Sequence, residues 1–97
     1  MSVSVFDHPF LSGLLGDREV GAFFSAEAEF KGMLDFEAAL AAAEAEKGII
    51  PEAAGKAITK AIASFRPDVE KLRHATARDG VVVPELVRQL RAAVGKP

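Results

Sequence analysis

The sequence predicts an all-α protein, a small helical bundle of about four main helices. Three observations predict it. Apolar residues recur at spacings of three and four along most of the chain. Gly48, Gly80 and Gly95 close such stretches, and Pro51, Pro67 and Pro84 stand where new ones begin. Alanine is the commonest of the hydrophobic residues, which make up 49% of the chain, and it forms helix well while burying little area. At 97 residues, a single helical domain over 1–97 is expected, with 1–16 an extended arm with turns and 17–95 helical.

The elements follow in order. Residues 1–16 hold Pro9, Gly13 and Gly16 and keep no clean period, with room for one helical turn at Leu11–Leu15. Asp17 is placed to cap a short helix reaching about Phe24. Ser25 is the next N-cap, and Glu27 and Glu29 in the first turn favour the helix dipole. The long helix runs from about Ala26 to Lys47 and ends at Gly48. Pro51 opens a helix over about 51–65, with the stripe Ala54, Ile58, Ala61, Ile62, Phe65. Asp68 starts another, to about Arg78, which Gly80 stops. Val81–Val83 read as an extended, buried link, and Pro84 begins the last helix, with Leu86, Val87, Leu90 and Val94 on one side.

The long helix carries an anomaly. Stepping 100° per residue puts Phe30, Met33, Leu34, Phe36, Leu40 and Ala41 on one side, and Glu37 and Glu44 fall in the middle of it. A carboxylate there loses water unless something pairs with it, so both are expected to be buried acids accepting hydrogen bonds from Arg, Lys or helix-start N–H groups. As general bases they would need a cleft and a raised pKa, which nothing in the sequence shows.

Composition excludes several functions. The net charge of −2 leaves no basic stripe for nucleic acid, and the helix–Gly–helix around Gly48 lacks the basic recognition helix of a DNA reader. No cysteine is present, and His8 and His74 have no ligand-like spacing, so no metal site is expected. No apolar run approaches the ~18 residues of a membrane span, and the N-terminus is unlike a signal peptide, so a cytoplasmic protein is expected. No serine lies in a nucleophile elbow, and "LSGLLGD" lacks a phosphate-loop lysine. "TARDG", residues 76–80, offers Arg78 as an anion contact or, equally, as part of a solvated helix end.

Two longer stretches are more specific: "LLGDREVGAFFSAEAEFKGMLDFEAALAAAEAEKGIIPEAA" and "ATARDGVVVPELVRQLRAAVG". Together they resemble the N-terminal domain of the fumarase/aspartase superfamily, and within it the carboxymuconate cycloisomerase branch. In related adenylosuccinate lyases a His-Asp pair stands where Arg78 and Asp79 stand here, which favours the cycloisomerase branch. The resemblance implies a homotetrameric enzyme, without cofactor, that closes 3-carboxy-cis,cis-muconate to a lactone in protocatechuate degradation. It also implies active sites shared between subunits and an anionic dicarboxylate or tricarboxylate substrate. The family's catalytic motifs, a "GATSQD"-like segment, a histidine region and a "GSSxMPxK" loop, are absent from this sequence. The chain is therefore expected to be an N-terminal domain or fragment with no catalytic residue of its own. Its expected contribution to substrate binding is Arg78, with Ser12 second. The rival reading is a free-standing helical protein-interaction module.

Overall fold

A computed structural model describes residues 4–95. Every regular element among them is helical: α1 (Ser12–Leu15), α2 (Arg18–Ala22), α3 (Ala26–Glu46), α4 (Glu52–Ser64), α5 (Val69–Asp79) and α6 (Val83–Val94). The all-α reading and its four main helices hold. The chain divides into two compact units, Met1–Asp35 and Phe36–Pro97, and α3 contributes to both.

In the first unit, local polar groups set the helix starts. The His8 Nδ1 accepts the Phe10 and Leu11 N–H groups at 3.3 and 3.2 Å as the chain turns toward α1. Asp17 Oδ1 accepts the Val20 N–H at 3.0 Å, and Ser25 Oγ accepts the Ala28 N–H at 3.1 Å, so both predicted caps form. Neither α1 nor α2 buries a residue, and Phe6, Phe10, Leu14, Phe23 and Phe24 all stand in solvent.

In the second unit α6 packs on α4 and α5. The buried side chains are Ala41, Phe65, Leu72, Ala75, Leu86 and Leu90. The α3 terminus closes as a Schellman motif. Gly48 is left-handed at φ 73°, the Ile49 N–H donates to the Glu44 carbonyl at 2.8 Å, and the Gly48 N–H donates to Ala45 at 3.2 Å. That turn returns the chain so that α4 meets α3 at Gly55, and the glycine makes the approach possible. A Cβ on Gly55 would lie 2.9 Å from the Ala45 Cβ. The alanines of α3 thus allow a close helix contact as well as favouring helix.

The Val81–Val83 reading needs correction. The left-handed Gly80 ends α5, its N–H donating to the Thr76 carbonyl at 2.7 Å. Val82 is already in the helical region at φ −98°, ψ −26°, and Val83 begins α6 with Pro84 behind it. Val81 and Val83 are exposed, and Leu86 and Leu90 are the residues that enter the core. Proline needs no N–H partner in the first helical turn, so α6 starts one residue earlier than the proline signal implied.

Candidate functional site

The second unit carries an open groove of about 750 Å³ bordered by α3, α4 and α6. Ile58, Val87, Leu90 and Val94 supply its apolar lining, and Glu37 and Arg91 its charges. Glu37 is more than half buried, on the line Leu34, Glu37, Ala41, Glu44 that α3 turns inward. Glu44 is equally half-buried. The helical phase read from the sequence is therefore the observed one, although Phe36 and Leu40, at its edges, are exposed.

The expected donors are not there. Among the described residues neither Glu37 nor Glu44 accepts a hydrogen bond or joins an ion pair, and Arg91 is likewise unpaired through its side chain. No described side-chain oxygen is both fully buried and unsatisfied, so the two carboxylates keep a path to water. Their length lets the head group reach solvent while the stem lies on apolar surface, which removes the need for an internal donor.

The other sequence candidates lie apart. Arg78 is exposed at the end of α5, and its guanidinium forms a bidentate pair with its neighbour Asp79, both contacts at 2.9 Å. Ser12, in the first unit, borders an open cleft with Asp7, Gly16, Asp17 and Arg18. His74 is exposed on α5, its Nε2 4.0 Å from Glu70 Oε1. Among the described residues no three His, Cys, Asp or Glu side chains are grouped to hold a metal, and no helix is long and apolar enough to cross a membrane.

Sequence reasoning missed a polar cluster at the start of α6. Arg88 grips Glu85 with Nε–Oε1 and Nη2–Oε2 distances of 2.9 and 2.6 Å, and the Gln89 amide donates to Glu85 Oε2 at 3.1 Å. The Arg88 hydrogen bonds, then that of Gln89, hold the Glu85 carboxyl down at about 2. The spacing Glu85–Arg88, three apart on one helix face, was the available signal.

No family model matches the chain. Its sequence is 39% identical over 88 residues to the 3-carboxy-cis,cis-muconate cycloisomerase of Bradyrhizobium diazoefficiens, and 41% over 90 residues to the enzyme of that name from Pseudomonas putida. The chain resembles 3-carboxy-cis,cis-muconate cycloisomerase. The two matches take in 91% and 93% of this chain. An uncharacterized protein of Schizosaccharomyces pombe is 39% identical over 90 residues. In all three cases the chain spans about a fifth, 20%, of the relative's length.

Proposed function

We propose that the chain is the N-terminal part of a cofactor-free cycloisomerase of the fumarase/aspartase superfamily, working in the cytoplasm on 3-carboxy-cis,cis-muconate in protocatechuate degradation. The observation that carries this reading is identity of 39% and 41% to two enzymes of that name across more than nine-tenths of the chain. The exposed phenylalanines of the first unit support it, because apolar side chains in such number fit a segment that further protein covers. In the full enzyme, a homotetramer, this part supplies scaffold rather than proton transfer.

Arg78 is the residue best suited to meet the anionic substrate. Its planar guanidinium already holds one carboxylate in the bidentate mode, that of Asp79, and a substrate carboxylate can take the same geometry. Ser12 offers a hydroxyl beside the glycine-lined cleft of the first unit. The direct test is to incubate the purified 97-residue chain with 3-carboxymuconate and follow lactone formation. No turnover is expected from the chain alone. Turnover free of contaminating full-length enzyme overturns the scaffold role.

A further inference from the structure

Asp79 sits where helix stability does not want it. A helix C-terminus is the negative end of the dipole and disfavours a carboxylate, yet Asp79 is the last residue of α5. The cap does not need it, because the Gly80 N–H closes onto the Thr76 carbonyl at 2.7 Å. Its ion pair with Arg78 contributes little to folding either, since those side chains are 39% and 72% exposed.

The pair is nonetheless specific in geometry. Both contacts fall on one edge of the guanidinium, Nε to Oδ1 and Nη2 to Oδ2, each at 2.9 Å. The other edge, made by Nη1 and the second N–H of Nη2, donates to nothing among the described residues. Glu85 reaches Arg78 electrostatically, but its oxygens are taken by Arg88 at 2.9 and 2.6 Å and by Gln89 at 3.1 Å. The free edge has the fork that a carboxylate accepts bidentately.

We propose that Asp79 is a positioning residue, clamping Arg78 by its Nε/Nη2 edge so that the Nη1/Nη2 edge is presented to one carboxylate of the substrate. The proposal rests on the reading of Arg78 as the substrate contact and assigns the residue that orients it. A free arginine loses rotamer freedom when it takes a ligand, whereas a clamped one has lost it on folding. A carboxylate that merely occupied Arg78 would compete with the substrate, so the two roles differ in sign.

Two measurements test this. In the 97-residue chain, NMR of the arginine side chains is expected to show a resolved, hydrogen-bonded Arg78 Nε–H that returns to the averaged arginine position in Asp79→Asn. An averaged signal already in the wild type overturns the clamp. The second is steady-state lactonisation of 3-carboxymuconate by the Pseudomonas putida enzyme with its matched segment replaced by this chain. There Asp79→Asn is expected to raise KM about two- to tenfold, the cost of ordering one long side chain, with the effect in KM rather than kcat. Asp79→Glu is expected to recover part of it. Arg78→Gln is expected to raise KM further, and adding Asp79→Asn to it to change nothing more, because Asp79 acts through Arg78. If Arg78→Gln raises KM while Asp79→Asn leaves it unchanged or lowers it, the clamp is overturned and the Arg78 contact stands. If Arg78→Gln leaves KM unchanged, the contact itself fails, and the clamp with it.

Discussion

Gln89 joins α6 to the start of α5 through the backbone of Asp68. Its Oε1 accepts the Asp68 N–H at 2.7 Å, and its amide donates to the Asp68 carbonyl at 3.3 Å. Asp68 meanwhile caps α5, its Oδ1 accepting the Lys71 N–H at 3.1 Å. One side chain thus fixes where α5 begins against α6. Gln89→Ala is expected to lower unfolding stability by about 1–2 kcal/mol, the net worth of two hydrogen bonds between elements. Urea unfolding measures it, and an unchanged midpoint would show that the link contributes nothing.

Glu85 gives the fold an acid dependence whose sign follows from its lowered pKa. The Arg88 hydrogen bonds and then the Gln89 amide bring the carboxyl from the ordinary 4.5 to about 2. Between those values the unfolded chain binds the proton and the folded chain does not. The stabilisation is therefore complete above 4.5 and is lost as the pH falls from there through about 2. Glu70 and Asp79 are lowered in the same direction by hydrogen bonds from Arg73 and Arg78, so the wild type alone cannot assign the effect. Comparison with Glu85→Gln can: the stability gap between the two should be steady near neutrality and close on acidification. A gap that persists undiminished to the acid end would contradict the assignment.

Gly55→Ala tests the α3–α4 contact. In an open helix this change gains about 1 kcal/mol of helix propensity. Here the added Cβ would lie 2.9 Å from the Ala45 Cβ, a distance the two helices must open to relieve. A net loss of about 1–3 kcal/mol is expected from overpacking, with Ala45→Gly recovering part of it in the double variant. A stabilised Gly55→Ala chain would mean that the helices do not approach so closely.

The helix ends were the most legible part of this fold. Asp17, Ser25 and Asp68 cap by bonding N–H groups three residues on, and Gly48 and Gly80 close helices through a left-handed backbone, so each signal acts within a few residues of itself. The inward line of Glu37 and Glu44 was equally legible, since it needs only the 100° step. What lay beyond reach depends on other elements. Gln89 meets Asp68 from 21 positions away, and the Gly55–Ala45 contact joins two helices. The missing donors for Glu37 and Glu44 could not be foreseen, because periodicity says which way a side chain points and not what waits there. Of the substrate-binding candidates, Arg78 was legible as a helix-end arginine, but its closure onto Asp79 was not.

Glu44 tests how much a half-buried acid with no partner matters. With no hydrogen bond or ion pair to break, Glu44→Ala is expected to match Glu46→Ala, on the exposed face, within about 0.5 kcal/mol. Thermal unfolding of both variants checks it. A loss of several kcal/mol at Glu44 alone would reveal a buried pair that truncation breaks.

A chimera tests the central claim most directly. The claim is that this chain is interchangeable with the matching part of a carboxymuconate cycloisomerase, here the Pseudomonas putida enzyme to which it is 41% identical over 90 residues. The measurement is lactonisation of 3-carboxymuconate by that enzyme with its matched segment replaced by this chain. If the segment supplies scaffold and no proton-transfer residue, as proposed, the chimera keeps kcat within about tenfold of the parent. A chimera that folds and assembles as the parent does, yet shows no turnover, would contradict the account.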